Sequence, residues 1–302
     1  MFGFREKIQT EYKRDRSVFW FRITENQDGG YNFDINQDFV RCIDFRFPEL
    51  EATSPTRWRK NDKFDYLSLW IPADRAHEID LNAIKEWAEF AGNECIWIKP
   101  RRMIQYFPDG TLEFCIAGDL NVDIEHSRKT RLGEAEHQVK YGTLTDGERR
   151  FFFDILKTSI VKMENLLPIP QVPFERITPL IFSSIPAEPV KNNSFVQNLT
   201  SIASTNFYSS SAINPVLNIH KPQIKSIRVE DKINSWRTIY SNSRNINLNL
   251  SFIAGATVVI VDDLYQSGTT MLAYAEFLKR HGAGNIYGLC CVKAMRNSDN
   301  LA

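Results

Sequence analysis

The sequence predicts an α/β fold, a parallel sheet of about five strands with helices on both faces, preceded by a smaller α+β domain. Two observations carry the first part. The β-branched run Thr257–Val261 and the apolar stretches Thr178–Ser184 and Asn285–Lys293 have the length and composition of strands buried on both faces. After each of the first two strands come a polar loop and a helical spacing: Phe195, Leu199, Ile202 and Ala203 in one case, Leu272, Ala275, Phe277 and Leu278 in the other, the latter closed by Gly282. Strand, loop and helix in succession is the unit of a parallel sheet, with ligands bound at the C-terminal ends of the strands. The third observation is a change of pattern upstream, where short alternating segments and turn residues replace these units.

That upstream part is read as a separate domain, residues 1–125, followed by the α/β domain at 126–302. Arg5–Arg16 reads as a short charged helix, and Ser17–Thr24 and Tyr31–Ile35 as a hairpin around Asp28-Gly29-Gly30. Phe39–Phe47 and Tyr66–Ile71 read as further strands separated by a charged loop, Glu49–Lys63. Asp80 caps a helix over Leu81–Ala91 that ends at Gly92, and Glu94–Lys99, Met103–Phe107 and Thr111–Ile116 read as strands. Further on, Thr145 and Glu148 have capping-box spacing ahead of a helix over Phe151–Met163. Asn214–Leu250 reads as a loop-rich insertion anchored by Trp236 and Ile239.

Charge excludes some functions. Over the 302 residues Lys+Arg and Asp+Glu are 37 each, so no global field draws the chain to nucleic acid or to a membrane surface. Any such contact has to be a local patch. The five cysteines form no C-x-x-C pair, which fits a reducing cytosol and argues against a zinc ribbon. No leader pattern or long apolar run is seen, so the expected location is cytoplasmic, with no membrane partner. In the N-terminal domain Arg57-Trp58-Arg59-Lys60 and the stretch from Trp97 through Arg101-Arg102 to Tyr106 mix basic and aromatic residues. They read either as a single-stranded nucleic-acid or protein contact or as half-buried aromatics beside a solvated face.

The chemistry is concentrated at A-T-V-V-I-V-D-D-L-Y-Q-S-G-T-T-M, residues 256–271. A buried strand ends there in two carboxylates, Asp262 and Asp263, and a loop leads through Ser267, Gly268, Thr269 and Thr270 to a helix N-terminus. The first N–H groups of a helix have no intrahelical acceptor, so this geometry holds anions. Gly268 permits positive φ and close backbone approach, and the hydroxyls can bond phosphate oxygens. Carboxylates repel phosphate but suit ribose hydroxyls or Mg²⁺, so a sugar phosphate fits better than phosphate alone. An ordinary βα turn with a capping Ser or Thr is the competing reading. Two carboxylates at the end of a buried strand, costly without a partner, weigh against it.

The stretch resembles the phosphoribosyl-diphosphate (PRPP) loop of type I phosphoribosyltransferases, an apolar strand followed by D-D/E-D, two variable residues and T-T/S-G-x-T. Asp262, Asp263, Ser267, Gly268 and Thr270 match, while Gln266 stands where Thr is usual. Over Arg131–Arg296 the chain is similar to the ComF-like branch. Lys140-Tyr141-Gly142 resembles its lysine–tyrosine motif, Phe195, Gln197 and Leu199 its R-G-F-N-Q stretch and following helix, and Gln223, Glu230, Lys232, Asn234 and Tyr240 its middle pattern. The departures are Asn193, Ser194 and Val196, where that stretch has arginine, glycine and asparagine, and the absence of the branch's N-terminal zinc ribbon.

The resemblance implies a type I phosphoribosyltransferase-like sheet and Mg²⁺-dependent displacement of diphosphate from ribose C1. Asp262 and Asp263 would hold ribose hydroxyls and, with substrate, Mg²⁺. Ser267, Gly268, Thr269 and Thr270 would grip the 5-phosphate, with Tyr265 and Gln266 placed against ribose or acceptor. Lys191, the only cation of the expected diphosphate loop 187–194, would assist the leaving group. It also implies an alternative, a binding module for PRPP or a nucleotide that acts as regulator or effector in DNA uptake or in retron-type anti-phage defence.

Overall fold

The computed structural model of the chain describes residues 8–61, 65–100, 103, 105–123, 125–170, 178–188, 194–220 and 227–295. Lys191, Asn193, Arg101, Arg102 and Gln223 lie outside the described residues. Two compact units emerge: residues 1–97 with 166–169, and residues 98–165 with 170–302.

The first unit is built on an antiparallel sheet with strand order β1-β2-β3-β5-β4. Its strands are β1 (Ile8–Tyr12), β2 (Phe21–Glu25), β3 (Tyr31–Asn36), β4 (Arg59–Lys60) and β5 (Tyr66–Ile71). Gly29, at φ 87°, makes the turn of the β2–β3 hairpin, as the D-G-G sequence requires. The segment read as an N-terminal helix is strand β1, because Tyr12 packs on Phe21 with ring centroids 6.1 Å apart and the pairing with β2 satisfies its backbone. Phe39–Phe47, read as a strand, forms helix α1 (Val40–Arg46). Its buried residues Phe39, Cys42, Ile43 and Phe47 recur at helical spacing. The charged loop that follows holds α2 (Pro48–Thr53), with Pro48 at the first helical position, where its missing N–H costs nothing.

Helix α3 (Leu81–Glu89) is capped by Asp80, whose Oδ1 accepts from the Ala83 N–H at 3.0 Å, and β6 (Ile96–Ile98) follows a wider turn. Trp97 is fully buried between Phe19 and Phe39, each centroid 4.9 Å away, and donates through Nε1 to the Ala91 carbonyl at 2.8 Å. This aromatic is therefore a core residue.

The second unit is α/β, a mostly parallel sheet flanked by helices. Its strands β7 (Phe114–Leu120), β8 (Leu180–Ser184), β9 (Ser211–Ile213), β12 (Thr257–Tyr265) and β13 (Ile286–Lys293) run in the order β7-β13-β12-β8-β9, with every neighbouring pair parallel. Met103–Phe107, read as a strand, is a turn: the Tyr106 and Phe107 N–H groups both donate to the Met103 carbonyl. On one face lie α4 (Arg131–Tyr141), α5 (Asp146–Glu164) and α6 (Ser194–Thr205). The capping box at Thr145 and Glu148 is present. The other helices are α7 (Val229–Tyr240) and α8 (Thr269–Arg280).

The stretch read as a loop-rich insertion contains α7 and a two-stranded ribbon, β10 (Val216–Leu217) with β11 (Ile246–Asn247). Its anchors Trp236 and Ile239 are buried, and Arg237 fastens α7 to α8 through two hydrogen bonds to Glu276, at 2.8 and 3.0 Å. Among the described residues no helix is long and apolar enough to cross a membrane.

Candidate active site at the end of the central strand

The carboxylates sit within β12, which continues past them to Tyr265. Pairing with β8 ends at Val261–Ser184, whereas pairing with β13 continues to Tyr265–Lys293. Asp262 and Asp263 thus lie beyond the end of β8, in the crevice position where open parallel sheets bind ligands.

Side chains alternate across a strand. Asp263 turns toward α4, where its Oδ2 lies 2.6 Å from Lys140 Nζ. Lys140 is held at the same distance by Glu136 one turn earlier on the helix. Both carboxylate side chains are nearly inaccessible, at 10% for Asp263 and 9% for Glu136, so the triad is largely shielded from water. Burial works against the charge on Lys140, but Asp263 and then Glu136 outweigh it and raise its pKa above the usual lysine range.

Asp262 takes the opposite face. It follows Ile260, whose strand neighbours Ser183 and Gly288 lie against α8: Ser183 Oγ is 2.8 Å from Tyr274 Oη, and a Cβ on Gly288 would reach 2.6 Å from Met271 Sδ. Asp262 Oδ1 accepts the Asp263 N–H at 2.9 Å. Burial first, and then the Asp263 carboxylate, push its pKa well above the ordinary carboxylate range, with Lys140 opposing.

The loop turns at Gly268, in the left-handed conformation at φ 77°, ψ −7°, and α8 begins at Thr269 with no side-chain cap on its N-cap residue. A Cβ at Gly268 would fall 2.1 Å from Tyr265 Oη, so glycine is required by contact as well as by φ. Ser267 Oγ and Thr269 Oγ1 are 3.0 Å apart and lean on one another. Gln266 is exposed, Thr269 is buried and Thr270 is half-buried at the start of the helix. Eight of the nine residues singled out from sequence therefore gather on one strand end, loop and helix start. Lys191 lies outside the described residues.

Sequence reasoning missed Lys140 and Glu136 as site residues. The signal was there in part, since Lys140-Tyr141-Gly142 stood out as a motif, but nothing local says that α4 reaches the end of β12. The five cysteines are all buried. Cys115 and Cys290 touch through sulfurs 3.7 Å apart beneath the site, and burial pushes the Cys290 and Cys291 thiols well up, leaving them packing residues.

Residues 202–299 match the family model of the phosphoribosyl transferase domain. The matched segment contains β12, the loop, α8 and β13, and so every described candidate of the strand–loop–helix. It leaves out α4, with Lys140 and Glu136. No curated protein matches the chain. The match supports a phosphoribosyltransferase-like function for this C-terminal part, with a PRPP-like substrate.

Proposed function

We propose that the second unit is a PRPP-dependent phosphoribosyltransferase of the ComF-like kind, which transfers the phosphoribosyl group to a nucleophile with loss of diphosphate. The observation that carries this is the coincidence of the family match with a strand end that presents two carboxylates beside a glycine-turned helix start, whose Thr269 N–H has a long 3.4 Å hydrogen bond to Ser267 Oγ. The N–H groups opening α8, with the hydroxyls of Ser267, Thr269 and Thr270, bind the 5-phosphate. Asp262 contacts the ribose hydroxyls, and the positive charge that develops at C1 as the C1–O bond to diphosphate breaks offsets the burial that disfavours its ionised form, so the carboxylate and that charge stabilise one another. The nucleophile bonds to C1, its proton leaves to solvent, and diphosphate carries away the bonding pair.

The donor set is compatible with Mg²⁺. Asp262 and Asp263 offer hard oxygen ligands at adjacent positions of the strand end. Among the described residues no group of three or more metal-ligating side chains exists, so substrate oxygens and water would complete the shell. A bound Mg²⁺ would supply charge neutralisation of the leaving diphosphate.

The test is release of diphosphate from PRPP and Mg²⁺, assayed with purine, pyrimidine, water and nucleic-acid ends as acceptors. Turnover with any of them supports transfer or hydrolysis. Saturable PRPP binding without turnover on any acceptor overturns the enzymatic reading in favour of a binding module.

A further inference from the structure

The Glu136–Lys140–Asp263 chain stands apart from the strand–loop–helix in sequence and reaches it only through the fold. Its geometry is that of a support. Lys140 makes two contacts of 2.6 Å with two nearly inaccessible carboxylates, and it leaves α4 in its last turn. Gly133, earlier on the same helix, lies so close to Asn121 that a Cβ would fall 2.0 Å from its carbonyl oxygen, so the helix is seated directly on the backbone that follows β7. The Asn121 N–H in turn donates to the Lys293 carbonyl at the end of β13, and its Oδ1 accepts from the Met295 N–H. Helix, strand end and ion pair therefore form one assembly.

Resting on the PRPP reading above, we infer that Lys140, held by Glu136, is a positioning residue that fixes Asp263 and thereby sets the site's selectivity for the sugar hydroxyls, while the loop and α8 bind the phosphate independently of it. The reasoning is one of separation. The phosphate donors belong to residues 267–270, where Ser267 Oγ pairs with Thr269 Oγ1 and accepts the Thr269 N–H, so the loop is braced from within itself. The carboxylate on which α4 acts is adjacent to Asp262 along the strand, and the Asp263 N–H is the donor that orients Asp262 Oδ1. Without its cation, Asp263 would leave this geometry for water, since a buried unpaired carboxylate is costly. That change alters the hydroxyl contacts and spares the phosphate contacts.

The test compares two probes, ribose 5-phosphate and methyl phosphate, by titration calorimetry on the full chain, with thermal melting as a control for folding. The wild type is expected to prefer ribose 5-phosphate by about tenfold or more, the difference that one or two charge-assisted hydrogen bonds make. Lys140→Met is expected to lose that preference, with its methyl phosphate affinity unchanged within about twofold, and Lys140→Arg to keep most of it. A Lys140→Met protein that melts normally and keeps the wild-type preference overturns the positioning role while leaving the PRPP reading intact. Loss of both ligands together from a folded variant overturns it too. Wild-type protein that binds neither probe sinks the PRPP reading itself, and this inference with it. Should Lys140→Met not fold, Glu136→Gln decides, because it frees Lys140 without removing it: a preference reduced several-fold supports the role, and an unchanged one overturns it.

Discussion

Replacing Gly268 by alanine tests the loop geometry in energetic terms. At φ 77° a non-glycine residue pays about 1–2 kcal/mol. The new methyl would also fall 2.1 Å from Tyr265 Oη and 2.5 Å from its Cζ, distances no real carbon adopts, and Tyr265 is too buried for its ring to swing into solvent. Forced repacking of this kind adds about 1–3 kcal/mol, for a total of about 2–5 kcal/mol. The assay is urea unfolding of the wild type, Gly268→Ala, Tyr265→Ala and the double variant. With the ring gone, the cost of Gly268→Ala should drop to the backbone part, about 1–2 kcal/mol. A cost that is the same in both backgrounds would refute the contact argument, and a cost below about 0.5 kcal/mol in the wild-type background would refute both parts of it.

Other expectations follow from the helices around the site. Glu164, at the end of α5, is buried, with Oε2 accepting from Asn206 Nδ2 at 2.7 Å, and burial raises its pKa from 4.5 to about 8. The folded state then keeps a proton that the unfolded chain has released, so stability falls as pH rises from about 4.5 to about 8 and levels off above, by a few kcal/mol in all. Glu164→Gln should flatten that window and stabilise the protein at pH 8, as read by urea midpoints across pH; an unchanged slope would exclude Glu164 as its source. Arg237→Ala, which frees Glu276 and separates α7 from α8, should cost about 1–3 kcal/mol, and little more should be lost when Glu276→Gln is added. Thr145→Ala removes the capping box of α5 and should cost about 1 kcal/mol in the same assay. A loss under 0.3 kcal/mol would show that the first turn of α5 is held by other contacts.

What could be read from the sequence was what is local. The strand Thr257–Val261, the loop and the helix that follows form one contiguous stretch, and the apolar runs of β8 and β13 are too continuous for anything but buried strands. Cap signals at Asp80 and Thr145 held because they depend on residues three apart. The errors arose where tertiary contacts override a local pattern. Phe39–Phe47 carries its apolar residues at spacings compatible with either period in so short a stretch. Arg5–Arg16 has helix-forming composition, yet its strand is fixed by Tyr12 packing on Phe21. Helix α4 has almost no apolar stripe to betray it, only Gly133, Ala135 and Glu136 being buried. That is why Lys140, which stands out only as part of a motif, and Glu136 are not legible as site residues: the reason for their presence is a carboxylate far along the chain. Likewise, Trp97 in the basic-aromatic stretch looks like a stacking residue in sequence and is a core residue in the fold.

The most direct test of the central claim is calorimetric titration of the full chain with PRPP and Mg²⁺, run beside Asp262→Asn/Asp263→Asn. The account predicts saturable one-site binding in the wild type that is lost, or weakened by at least about tenfold, in a double variant that still melts cooperatively. Equal binding by the two folded proteins would move the ligand away from the end of β12. No binding by the wild type would contradict the claim that this strand, loop and helix form a phosphoribosyl site.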